Sequence, residues 1–139
     1  MRVLISVMCL SLTVSVASSA PSLAAEKSYL CAINDVYECV GVTGCSRISL
    51  ETANLAAVMV LDLENKKLKS APIGQEAKAV DIDNLTIADK FILLHGVGQN
   101  APTPRAFSAL VDTETGKLSA GVSTPDASLA LIGKCTAQP

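Results

Sequence analysis

Four cysteines, Cys31, Cys39, Cys45 and Cys135, constrain this chain more than any other feature. A fifth, Cys9, lies in an N-terminal stretch that reads as a secretory signal. Met1-Arg2 is a minimal positive start, Val3 to Ala17 is apolar and uncharged, and Ser22-Leu23-Ala24-Ala25 offers a small-x-small cleavage site. Residues 1–25 are therefore expected to be removed, with the cut after Ala24 or after Ala25. A cut after Ala20 is disfavoured because Pro21 would follow it directly. The apolar run is shorter than the ~20 residues of a membrane-spanning helix, so no span is expected after removal. Cys9 follows Met8 where a lipid-attachment cysteine would follow a small residue.

An even number of cysteines in an exported chain of roughly 115 residues reads as a disulfide framework. Three connectivities are open. The preferred one ties the ends of the domain through Cys31–Cys135 and closes a short loop through Cys39–Cys45. A zinc site would need reduced thiolates at CxxC-like spacing, and none of these spacings fits. The expected organisation is a leader over 1–25 followed by one domain over 26–139, exported to a periplasmic or extracellular compartment.

Two segments of the mature chain are alike. Val60-Leu61-Asp62-Leu63-Glu64-Asn65-Lys66-Lys67-Leu68-Lys69 aligns with Leu110-Val111-Asp112-Thr113-Glu114-Thr115-Gly116-Lys117-Leu118-Ser119, sharing the Asp, Glu, Lys and Leu. Each reads as a hairpin: an apolar run enters, an Asp-x-Glu segment turns, and a Lys-Leu strand returns. Asn65 and Gly116 are expected at the positive-φ corners. This places strands near 55–62, 67–71, 105–111 and 117–122.

Further strands are expected at Tyr29 to Ile33, from Val80 with a register shift around Asn84, at Phe91 to His95, and at Ser128 to Ile132. A helix over Leu50 to Leu61 is the alternative suggested by its Ala and Leu content. Short strands with turn chemistry every 8–12 residues indicate an all-β fold, a small antiparallel β-barrel or sandwich of about 7–8 short strands stapled by two disulfides. Similar Asp-x-x-Thr-Gly-Lys hairpins occur in propeller blades, but at ~40–45 residues per blade the chain is too short for a monomeric propeller.

Few residues suggest chemistry. His95 is the sole histidine, and alternation puts it on the face of Phe91 and Leu93, at the end of that strand. No serine sits in a Gly-x-Ser-x-Gly elbow, and Gly96-Val97-Gly98 lacks the third glycine of a phosphate-binding loop. Asp81 with Asp83, and Asp62 with Glu64, each share a strand face, a pattern read as solvated carboxylates rather than a calcium loop. Asn84-Leu85-Thr86 matches a glycosylation sequon, which has meaning only in a eukaryotic source. A net charge of −2 and four aromatics, Tyr29, Tyr37, Phe91 and Phe107, argue against nucleic-acid binding. The longest loop is read over 96–104, stiffened by Pro102 and Pro104. Gln99, Asn100, Arg105 and His95 around it are the candidate binding residues.

Tyr29-Leu30-Cys31, Cys39, Gly44-Cys45-x-Arg47-Ile48, Ala106-Phe107-Ser108-x-Leu110-Val111-Asp112, Thr115-Gly116 and Ile132-Gly133-x-Cys135 together resemble small exported β-domain proteins of Gram-negative bacteria. The group is periplasmic and of uncharacterised function, so the resemblance implies fold and compartment only. A fainter resemblance is to the periplasmic inhibitors of C-type lysozyme, small antiparallel barrels that begin Tyr-x-Cys. Their Ser-Gly motif and following Tyr are missing from Gly121-Val122-Ser123-Thr124-Pro125. The expectation is an exported, non-enzymatic binding or envelope-associated module with no cofactor or metal and with an envelope protein as partner. The alternatives are a lysozyme-inhibitor-like protein and a small secreted enzyme using His95.

Overall fold

The computed structural model describes residues 27–41, 44–70, 76–99 and 103–138. Residues 1–25, read from the sequence as a leader, and both expected cut positions lie outside the described residues, as does Asn100. Among the described residues there are ten strands and no helix. The strands are β1 (Ser28–Cys39), β2 (Cys45–Ile48), β3 (Val58–Asp62), β4 (Lys67–Ser70), β5 (Lys78–Asp81), β6 (Asn84–Ala88), β7 (Phe91–Gly98), β8 (Arg105–Asp112), β9 (Lys117–Ser123) and β10 (Ser128–Gln138). They form one antiparallel sheet in the order β5-β4-β3-β1-β10-β9-β8-β7-β6, with β2 attached to β1. The sheet curls as a half-barrel.

The all-β reading holds, with ten strands in place of seven or eight. Two sites account for the difference. Cys45–Ile48 pairs with the far end of β1, held there by a disulfide. The alternating run from Val80 to Ile87 is two strands on opposite edges of the sheet, β5 and β6, joined by Ile82 and Asp83. These two residues draw the edges together. The Ile82 N–H donates to the Lys66 carbonyl (2.9 Å) while its side chain is buried. Asp83 Oδ2 accepts the N–H of Val97 on β7 (3.1 Å). Glycine is required where the edges touch: a Cβ on Gly96 would lie 2.6 Å from the Asp81 carbonyl oxygen and 2.6 Å from the Phe107 ring. Gly96, Val97 and Gly98 thus belong to β7 and not to the loop assigned to them from sequence, which begins at Gln99.

Both cysteine pairings are those preferred from the sequence. Cys31–Cys135 links directly opposed residues of β1 and β10, and Cys39–Cys45 those of β1 and β2. Alternation then sets the core. Val36, Leu61, Ile92 and Val111 are almost fully enclosed, each contributing about 1.5–3 kcal/mol relative to exposure. The helical alternative over Leu50 to Leu61 resolves into one turn and a strand. Ser49 Oγ accepts the Thr52 N–H (3.0 Å), Leu55 N–H returns to the Leu50 carbonyl, and Asn54 takes a positive φ of 50°. From Val58 the β-branched side chains favour extension.

The two similar segments are equivalent hairpins, β3–β4 and β8–β9. Leu61 pairs with Leu68 as Val111 pairs with Leu118. Asp62 Oδ1 accepts the Asn65 N–H (3.0 Å), and Asp112 Oδ1 accepts those of Glu114 and Thr115 (3.0 and 3.2 Å). The positive-φ corner is Lys66 (49°), not Asn65, because Lys66 is the counterpart of Gly116 (71°). At Asp112 burial pushes the carboxyl up, but the Thr115 and Glu114 hydrogen bonds and the nearby Lys90 outweigh it and leave it lowered.

Asp62 is lowered to about 2, first by the Lys69 ammonium bonded to it at 2.8 Å, then by the Asn65 N–H and side-chain amide. A carboxyl lowered by folding stabilises the fold above its ordinary titration range and loses that effect as pH falls through the folded value. Urea midpoints measured against pH are therefore expected to fall between about pH 4 and pH 2, with a smaller drop in D62N. Coincident wild-type and D62N profiles would remove Asp62 from the acid response.

Candidate functional site

The curl of the sheet encloses a cavity of about 210 Å³, and the register explains why it is hollow. Four strands contribute successive inward layers. The floor is Ile92, Val111, Leu118 and Gly133, neighbours across β7, β8, β9 and β10. The next layer is Leu94, Ala109, Ala120 and Leu131. Its two central members are alanines paired face to face, so methyl groups stand where the layer below has Val111 and Leu118. Above them come Gly96, Phe107, Val122 and Leu129. The Phe107 ring lies against Gly96, in the room left by the missing side chain.

Arg105 forms the layer above Phe107. Residues 105, 107, 109 and 111 alternate inward along β8, and all four line the cavity. Arg105 Nε is buried and has no hydrogen-bond partner among the described residues. Opposite, the edge strand β5 brings Lys78 and Val80 to the same end of the hollow, where a Cβ on Gly98 would meet Val80 at 3.6 Å. Leu55 and Ala56, from the turn before β3, complete the wall on that side.

The four candidate binding residues do not converge. Arg105 is in the cavity, Gln99 is exposed just beyond β7, and Asn100 lies outside the described residues. His95 does share a face with Phe91 and Leu93, but that face points outward: Ile92, Leu94 and Gly96 are the buried set. The His95 Nε2 lies 3.0 Å from the Asn84 side-chain amide. The carboxylates are engaged separately. Asp81 pairs with Lys67, Asp83 caps Val97, Asp62 binds Lys69 and Asn65, and Glu64 lies 3.5 Å from Lys27. Among the described residues no group of three or more His, Cys, Asp or Glu side chains comes together to hold a metal ion, and no helix is long and apolar enough to cross a membrane.

Ala109, Ala120 and Lys78 were not singled out from the sequence. The hairpin pairing of Val111 with Leu118 does carry a signal for the alanines, since stepping back two residues on one strand and forward two on the other pairs Ala109 with Ala120. Lys78 comes to the cavity only through the closure of the sheet edges, for which no local signal exists. No protein-family model, curated protein or solved structure matches the chain.

Proposed function

We propose that this chain is an exported, non-enzymatic binding module that takes an apolar small molecule into the hollow of its curled sheet. The observation that carries the reading is the cavity itself. It is apolar along its length, walled by strands, and left open by a pair of alanines rather than by disorder in the packing. Small-molecule sites are commonly concave and apolar with a few polar groups at one end, and Arg105 and Lys78 supply such an end here. Two disulfides and the leader-like N-terminus support an exported location. Binding is favoured over catalysis by the outward position of His95 against an amide rather than a carboxylate.

Neutral probes test this without presuming a head group. Titration of toluene or 1-octanol into methyl-labelled protein is expected to move the methyl resonances of Leu94, Val111 and Leu118 saturably, leaving the outward Leu93 and Leu110 in place. The variant A120L, which fills the central layer, is expected to keep the fold, gain up to about 1 kcal/mol in stability, and bind either probe at least about tenfold more weakly. Shifts confined to the outward leucines, or undiminished binding by A120L, would refute the cavity as the site.

A further inference from the structure

The geometry points to a single-chain aliphatic carboxylate as the ligand, its head group at Arg105 and its tail in the alanine-lined hollow. This inference rests on the binding role proposed above and adds the ligand's charge and length to it.

Charge comes first. Arg105 and Lys78 are the charged residues of the cavity lining, and no carboxylate lines it among the described residues. Neither is neutralised by an acid there, whereas Arg47 pairs with Asp35 and Lys69 with Asp62. A guanidinium has only donors to offer, and Arg105 Nε is buried without an acceptor among the described residues. Leaving a buried donor of a charged group unmet costs more than leaving a neutral one. A ligand that brings an acceptor removes that cost, and a carboxylate matches the planar fork with two parallel hydrogen bonds. A neutral alcohol supplies a weaker acceptor, and an ammonium head would add a third positive charge.

Length follows from volume and layering. A dry cavity of ~150 Å³ accommodates benzene, so the 210 Å³ present here suits a chain of about eight carbons by simple proportion. Arg105 and Ala109 are four residues apart on one strand, roughly 13 Å at the usual rise. A head held by the Arg105 side chain therefore directs its tail past Phe107 and Val122 toward the Ala109–Ala120 layer above the Val111 and Leu118 floor.

The test compares octanoate, 1-octanol, octylammonium and octyl sulfate on the purified chain by calorimetry, with methyl shifts locating each probe. Octanoate is expected to bind roughly tenfold or more tightly than octanol, and octylammonium more weakly than either. R105Q should remove that advantage, so that octanoate binds this variant no more tightly than octanol does. R105K, which keeps the charge but not the fork, should lie between wild type and R105Q. K78Q should weaken octanoate by a smaller factor, because Lys78 is exposed. The β-type circular dichroism of each variant confirms folding, and the wild-type comparison of head groups stands whether or not R105Q folds. Equal binding of octanoate and octanol, or an R105Q that keeps the octanoate advantage, overturns the assignment of an anionic head while the cavity reading survives. Octyl sulfate binding more tightly than octanoate overturns the carboxylate. No binding by any probe overturns both the assignment and the reading on which it rests.

Discussion

Replacing Cys31 and Cys135 together by alanine is expected to cost about 4–5 kcal/mol of unfolding free energy, read as a lower urea midpoint with a steeper slope, because the unfolded chain expands once the cross-link is gone. The two cysteines are 104 residues apart in sequence and directly opposed across β1 and β10. A cross-link at that separation removes about 4.7 kcal/mol of chain entropy from the unfolded state. The seam it fastens lies in the middle of the sheet and joins the first strand of the chain to the last, and β1 also carries β2 and β3. Both sulfurs are enclosed, with Cys31 at 2% and Cys135 at 6% exposure, so a reductant reaches them only after the seam opens. Cys39–Cys45 is the opposite case. Its separation of six residues corresponds to only about 2 kcal/mol, and Cys45 is exposed. Graded reduction should release two thiols while the β-type spectrum is intact, and the other two only on unfolding. Release of all four thiols while the β-type spectrum is intact, or a loss below about 1 kcal/mol in the double alanine variant, would show that the β1–β10 ladder holds the half-barrel without the cross-link.

How much of this was legible depends on whether the deciding interaction is local. The two hairpins were, because Asp62 and Asp112 organise their own turns within three residues. Even there the left-handed corner fell on Lys66, where its alignment with Gly116 would have put it, and not on Asn65, the residue type that favours it. The disulfides were legible because strand ends and loop length restrict what four cysteines can reach. The inward face of β7 was not. Both of its faces are apolar, Phe91 with Leu93 and Ile92 with Leu94, and only the partner strand decides: Leu94 opposes Ala109 inside, Leu93 opposes Leu110 outside. That parity moved His95 to the surface. Gly96 and Gly98 resemble loop residues by composition, yet Gly96 is glycine because another backbone passes against it. β2, a four-residue strand without alternation, is set by its disulfide and its pairing with β1. Arg105 was noticed for its place after the loop. Its position at the end of the cavity follows from sharing parity with Phe107, Ala109 and Val111, a pattern present in the sequence but meaningful only once the sheet has curled.

Gly133→Ala should be the most damaging single-methylene change in the sheet, costing roughly 3 kcal/mol. Gly133 lies on β10 between Leu131 and Cys135 and opposes Ile33, where the register between β1 and β10 slips past Asn34. A Cβ there would be 2.2 Å from the Ala32 carbonyl oxygen, 3.1 Å from the Ala32 carbonyl carbon and 3.3 Å from the Ile33 Cα. All three are backbone atoms, so no side chain can swing aside to relieve the overlap. Relief requires the two strands to part, two residues from the Cys31–Cys135 bridge. Gly98→Ala is the matched control on β7, away from that seam: its Cβ would meet Val80 at 3.6 Å, an ordinary contact, and should change stability by less than about 1 kcal/mol. The seam also bounds the cavity, since Cys31 and Leu131 line it, so G133A is expected to weaken 1-octanol binding as well as lower the urea midpoint. Equal midpoints for G133A and G98A would mean that the irregularity at Asn34 absorbs the added methyl, and the β1–β10 seam would then be a compliant joint of the half-barrel rather than its rigid one.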